Sequence, residues 1–178
     1  CPSGRLAESW PIAYSDVPFG EEFSRSAVEI YYEGVFVGYR YYSTKKMQVL
    51  FPFGHGLSYT EFTYGDAKVS KNSVKAGADV SVSVDVTNTG KVAGKEVVQL
   101  YIGDEQSRLE RPVKELKGFS KIALEPGETK TVTFSIDPEK LMYFDDEKHE
   151  WVLEDGKFTA YVGSASDDIR TQVSFEVR

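Results

Sequence analysis

The sequence predicts a mainly β protein, an antiparallel β-sandwich of short strands, and three observations carry that expectation. Val80, Val82, Val84 and Val86 alternate with Ser81, Ser83 and Asp85, the period of two that sends successive side chains to opposite faces of an extended strand. The rhythm returns at Val98, Leu100 and Ile102, at Val132, Phe134 and Ile136, at Phe158, Ala160 and Val162, and at Val173, Phe175 and Val177. Between the runs stand Gly, Pro and Asn, the residues that turn a chain. Half-buried strands so punctuated describe two packed antiparallel sheets.

Strands are expected near 64–70, 79–88, 95–103, 115–123, 129–136, 150–153, 157–163 and 171–177. Asn88-Thr89-Gly90 ends the second. Arg111-Pro112-Val113-Lys114-Glu115-Leu116-Lys117-Gly118-Phe119 leads into the fourth, and Glu125-Pro126-Gly127-Glu128 turns the chain into the fifth, Gly supplying positive φ and Pro fixing the corner. Asp137-Pro138-Glu139-Lys140-Leu141 reads as an N-cap and a short helical turn that carries the chain between sheets. Seven or eight strands over the last ~115 residues match the size of an immunoglobulin-like domain. Residues 62–178 are therefore read as one sandwich domain. Residues 1–61 differ in texture: Trp10, Phe19, Phe23, Tyr31, Tyr32, Phe36, Tyr39, Tyr41, Tyr42, Phe51, Phe53 and Tyr59 supply apolar surface, but too few elements accompany them to enclose it. Such a segment is the tail of a larger, incomplete domain or an arm laid over the sandwich.

The 178 residues have room for one ordinary domain and a remainder, not for a large catalytic barrel. A net charge of −7, from 28 acidic against 21 basic residues, argues against nucleic acid as a partner. No run of about 18 apolar residues is present, so no membrane-spanning helix is expected. A single cysteine cannot close an intramolecular disulfide, so the core must hold the fold. The compartment stays open between cytoplasm, periplasm and secretion. Cys1 is compatible with the lipid-bearing cysteine of a processed lipoprotein, but the plainer expectation is that the chain begins mid-protein.

Several motifs in order resemble one family. Pro2-Ser3-Gly4-Arg5-Leu6-Ala7, Gly34-Val35-Phe36-Val37-Gly38-Tyr39-Arg40-Tyr41-Tyr42 and Phe51-Pro52-Phe53-Gly54-His55-Gly56-Leu57-Ser58-Tyr59-Thr60 are similar to the end of the α/β-sandwich domain of glycoside hydrolase family 3, the β-glucosidase and β-xylosidase group. The segment Arg111–Phe119, Tyr143-Phe144-Asp145 and Val162-Gly163-Ser164-Ala165-Ser166 resemble the fibronectin type III-like domain that follows it in many members. The resemblance implies a retaining hydrolase of terminal β-linked sugars, with an Asp nucleophile and a Glu acid/base upstream of any residue of this chain. Retention needs two carboxyl groups about 5 to 5.5 Å apart, one ionised and one protonated. No such pair is recognisable here, so no catalytic residue, cofactor or metal ligand is assigned and the chain alone is expected to be inactive.

Each candidate site also has a plainer role. Asp16, after Ser15 and before Val17-Pro18, reads as a turn residue rather than a nucleophile. Asp145-Asp146-Glu147, with Glu150 nearby, lacks the alternating oxygens and glycine of a calcium loop and reads as a solvated hairpin turn. His55 and His149 have no ligand-spaced companions; His55 between two glycines is expected to pack in a tight crossing. Trp10, Tyr42 and Trp151 are legal sugar-stacking residues, although burial is the more common role of such rings and Trp151 fits a core or sheet-face position. Arg108, Arg111 and Lys114, with Glu110, form a charged loop that is either an exposed salt-bridged surface or a docking surface for other domains; Tyr39 and Tyr41 are candidates for the same docking. The expected partners are the barrel and α/β-sandwich domains of the same enzyme or a second copy of the chain. The competing class is a free-standing carbohydrate-binding or adhesion module using exposed aromatics.

Overall fold

The computed structural model describes residues 1–178 except 22–24, 26 and 29, so Phe23 lies outside the described residues. The N-terminal segment holds β1 (Trp10–Pro11), a 3-10 turn (Tyr14–Asp16), α1 (Tyr39–Thr44) and β2 (Val49–Phe51). Then come β3 (Phe62–Tyr64), β4 (Lys68–Val69), β5 (Ser73–Val74), β6 (Val80–Asn88), β7 (Gly94–Asp104), β8 (Glu115–Leu124), β9 (Thr129–Ile136), β10 (Tyr143–Asp145), β11 (Glu150–Val152), β12 (Gly156–Gly163) and β13 (Ile169–Val177).

Two sheets enclose the core. One runs β5-β13-β12-β7-β8; in the other, β6 pairs with β9 along one side and with the short β3 and β4. All pairings among them are antiparallel except β5 with β13. The valine row points inward as the alternation requires: Val80, Val82, Val84 and Val86 are 0 to 2% exposed and pair in register with Ile136, Phe134, Val132 and Lys130. Val98, Leu100 and Ile102 of β7 and Phe158, Ala160 and Val162 of β12 meet them from the opposite sheet. Burying each such side chain stabilises the fold by about 1.5 to 3 kcal/mol.

The turns follow their chemistry. Asn88 is fully buried yet satisfied: its Oδ1 accepts from Thr60 Oγ1 at 2.6 Å and Gly90 N at 3.1 Å, and its Nδ2 donates to the carbonyls of Val92 and Leu124. Gly127 takes φ +76° in the turn between β8 and β9, which Glu128 closes by accepting from Glu125 N at 2.7 Å. Asp137 caps the 3-10 turn Pro138–Lys140 through Lys140 N.

Two expectations need correction. The strand expected at 64–70 is broken into β3 and β4, because Ala67 N turns across to Thr171 Oγ1 at 2.9 Å on β13. The Asp145 turn is a hairpin, β10 to β11, but Asp145 is fully buried rather than solvated. It accepts from the backbone N–H groups of Glu147 and Lys148 and from Arg108, which replaces its lost hydration.

Candidate functional site

Gln99 and Tyr101 alternate with the inward side chains of β7, so the pleat sends them to the outer face of the five-stranded sheet. They are nevertheless 3% and 0% exposed. The N-terminal segment covers them. Tyr39 of α1 packs at a tilt on Phe53, 4.9 Å between ring centroids, and meets Tyr101 edge-on at 5.6 Å, and its hydroxyl accepts from Leu116 N at 2.7 Å. Ser166 N donates to Phe53 O at 2.8 Å. Gln99 Nε2 donates to Ser164 O at 2.5 Å and its Oε1 accepts from the Tyr101 hydroxyl.

The crossing expected at His55 lies in this seam. Leu6 N donates to His55 O at 2.9 Å and Gly54 N to Leu6 O at 2.8 Å, a reciprocal pair between the two ends of the N-terminal segment. Gly54, at φ +87°, lies so close to β7 that a Cβ would stand 2.4 Å from the Gln99 amide; one on Gly56 would stand 2.2 Å from Gly4 O. The approach requires glycine at both places. The His55 ring packs at 5.0 Å on Phe51.

The charged loop after β7 faces the same seam. Val113 N donates to Thr44 Oγ1 at 3.0 Å, Arg40 pairs with Glu115 at 3.3 Å and Lys45 reaches Glu110 at 3.8 Å, so the loop grips α1 from the sandwich side. Arg111 has little exposure. Its guanidinium bridges Asp104 at 3.1 Å and Glu115 at 3.2 Å and lies 5.4 Å over the Tyr143 ring. Arg108, more open, bonds Asp145 and stands 3.7 Å from Glu147 and 3.9 Å from Glu154. Burial pushes the Lys114 ammonium down, with the nearby Asp167 carboxylate opposing the shift. Lys114, Tyr39, Tyr42 and Asp167 line an open cleft of about 510 Å³.

The remaining sequence candidates disperse. Tyr42 is buried at 6% and offers no open face for a sugar; half-buried Tyr41 packs edge-on against it at 5.7 Å. Trp10, 45% exposed, meets Phe51 edge-on, and its indole N–H donates to Glu8. Trp151 is not in the core: it is 66% exposed on the β10–β11 ribbon, which belongs to neither main sheet, and Phe144 meets it edge-on at 5.7 Å. Asp16 holds its own turn, accepting from Ala13 N at 3.1 Å. Among the described residues, no group of three or more His, Cys, Asp or Glu is placed to hold a metal ion, and no helix is long and apolar enough to cross a membrane. Sequence reasoning missed Arg5, Phe53, Glu96, Gln99 and Tyr101. The signals open to it were the glycines flanking His55 and the charged Glu96 beside the apolar run of β7.

Comparison with known proteins agrees with this architecture. Residues 96–166 match the family model of the fibronectin type III-like domain. The chain is 51% identical over 180 residues to a β-glucosidase of Bacteroides ovatus, matching 98% of this chain and 24% of that protein. It is 49% identical to the thermostable β-glucosidase B of Acetivibrio thermocellus, matching 99% of this chain and 23% of that one. The crystal structure of a β-glucosidase from Kluyveromyces marxianus superposes with a TM-score of 0.91 at 44% identity, over 99% of this chain and 22% of the other. The chain thus spans about a quarter of the length of the curated relatives it matches. The fibronectin type III-like match thus lies within a sandwich that carries the N-terminal segment along its outer face. As a whole the chain corresponds to the C-terminal portion of glycoside hydrolase family 3 enzymes of the β-glucosidase group.

Proposed function

We propose that this chain is the non-catalytic C-terminal part of a retaining β-glycosidase of the β-glucosidase type and braces that enzyme's catalytic domains. One observation carries the reading: residues 1–61 bond closely to the sandwich while leaving a dense set of large apolar side chains wet. Ile12, Tyr14, Ile30, Tyr31, Tyr32, Val35, Leu50, Leu57 and Tyr59 are each more than half exposed. Apolar surface of that extent marks a contact to another body. Residues 1–61 act as the last elements of an α/β-sandwich domain, and the loop bearing Arg108, Arg111 and Lys114 locks them to residues 62–178. The sugar is bound and cleaved on the upstream domains.

The test is a graft. Alone, the chain should show no hydrolysis of aryl β-glucosides or β-xylosides above buffer. Placed where the corresponding portion of the Bacteroides ovatus enzyme stands, it should support hydrolysis that the truncated enzyme lacks. Saturable turnover by the chain alone, or full activity of the truncated enzyme, would overturn the reading.

The exposed Phe144 and Trp151 pair favours a second reading, a sugar-contacting module. In that case soluble β-glucan oligosaccharides should saturably change Trp151 fluorescence in the isolated chain.

A further inference from the structure

The cleft lined by Lys114 adjoins the wet apolar surface of residues 1–61, because Ile12, 60% exposed, forms part of its wall. Its charged lining is unbalanced. Lys46 and Lys114 bring two ammonium groups against the one carboxylate of Asp167, in a chain whose net charge is −7. Lys46 is exposed, whereas Lys114 is half-buried and held in place. The hydrogen bonds from Val113 N to Thr44 Oγ1 at 3.0 Å and from Leu116 N to the Tyr39 hydroxyl at 2.7 Å pin the backbone on either side of Lys114, so its position is set before anything binds.

Two donors in this wall have nothing to meet. The Lys114 ammonium makes no hydrogen bond or ion pair among the described residues, and Asp167 acts on it only through space. Ser166, 3% exposed, has a hydroxyl that is likewise without a partner among them. Unlike Arg5 Nε, which is sealed off, both keep surface open to the cleft. A partly desolvated ammonium beside an unmatched hydroxyl favours an acceptor, and a charged one most.

We propose that this cleft receives an acidic side chain, an aspartate or glutamate carried by the upstream domains, which pairs with Lys114 and accepts from the Ser166 hydroxyl. The pairing rests on the bracing reading. Its chemistry follows from the walls: a cation would confront Lys46 and Lys114, an uncharged cover would strip water from Lys114 and give it no acceptor, and a small free anion would leave Ile12 wet. The occupant follows from the surroundings. The cleft is continuous with the apolar surface those domains cover in that reading, and this chain matches only 24% of the Bacteroides ovatus enzyme, so most of that enzyme lies outside it. Asp167, which remains in the same wall, limits the site to a single added carboxylate.

The test is competitive acetylation of Lys114, read by mass spectrometry across about pH 7 to 11, which gives its pKa in the isolated chain and in the chain grafted onto the upstream domains of the Bacteroides ovatus enzyme. Burial already pushes the Lys114 ammonium down, with Asp167 opposing. An added carboxylate favours the charged form and an uncharged cover disfavours it further, so the pKa should be higher in the graft than in the isolated chain. Lys114→Gln should speed hydrogen exchange of residues 10–21 and 30–37 in the graft about fivefold, and Lys114→Glu more, while neither changes the exchange of β8 in the isolated chain. If those residues are protected in the graft while the Lys114 pKa stays or falls, or if Lys114→Gln exchanges like the parent there, the pairing is overturned and the bracing reading stands. If they are unprotected, the bracing reading falls and the pairing with it. A Lys114 pKa that rises with concentration in the isolated chain makes a second copy the occupant and also overturns the pairing.

Discussion

Arg111 shows how a residue that reads as surface charge becomes part of the interior. Its guanidinium reaches Asp104, Glu115 and the carbonyl of Leu141 and covers the Tyr143 ring, a geometry only a planar fork provides. Arg111→Ala strands two carboxylates and should cost about 3 kcal/mol in chemical denaturation. Arg111→Lys keeps the charge but not the fork and should recover only part of that loss. Val84, 2% exposed between β6 and β9, makes the opposite case: Val84→Asp buries a carboxylate without a partner and should cost about 3 kcal/mol or more, read as a lowered melting temperature. An unchanged melt would mean the register is wrong. Asp145 sets a pH dependence. Burial raises its carboxyl, but the Lys148 N–H, the Arg108 guanidinium and the Glu147 N–H outweigh that and hold it below the ordinary aspartate range. A folded-state value below the unfolded one stabilises at pH above the unfolded value, about 3.9, and that stability is lost as pH falls through the folded one. Asp145→Asn should therefore be less stable than the parent at neutral pH and lose less on acidification below pH ~4.

Among the elements, α1 and the Phe53–Gly56 crossing have the most to explain, because their stability is borrowed. A helix of six residues is too short to persist alone, so contacts with β7, β8 and the loop between them must hold it. Gly54→Ala tests this. At φ +87°, with Gln99 2.4 Å and Ala165 3.0 Å from the new Cβ, the substitution should cost about 1 to 3 kcal/mol. In hydrogen exchange it should free the Leu6, Gly54 and Ser166 amides while β6 and β7 stay protected. The long strands were legible in sequence because period-two alternation is a local signal; β6, β7, β9 and β12 start and end within about two residues of where the alternation placed them. β5 and β10, with two and three residues, are shorter than such a pattern can declare. The seam was legible only in part. The glycines around His55 announced a close crossing, but nothing local says that the crossing partner is Gln99, nor that Tyr39 finds Tyr101 some sixty positions away. Tyr39, a candidate for docking on other domains, finds ring partners within the chain. Trp151 was misplaced for a related reason: nothing local says that its strand pairs only with β10 and never joins a main sheet.

Across the whole molecule, residues 1–61 are fixed to the sandwich by the seam and leave large apolar side chains exposed elsewhere. Removing them would uncover Tyr101 and Gln99, so a chain beginning at Phe62 should melt lower than the full chain. The full chain, with its wet tyrosines and valines, should show concentration-dependent light scattering that the shorter one lacks. The proposal that this apolar surface is covered by the upstream domains of a β-glucosidase-type enzyme meets its sharpest test in hydrogen exchange of residues 10–21 and 30–37 in two settings: the isolated chain and the chain grafted onto the upstream domains of the Bacteroides ovatus enzyme. Fast exchange of those residues is expected in isolation and strong protection in the graft, with β6 and β7 protected equally in both. Equal protection of residues 10–21 and 30–37 in the two settings would overturn the proposal.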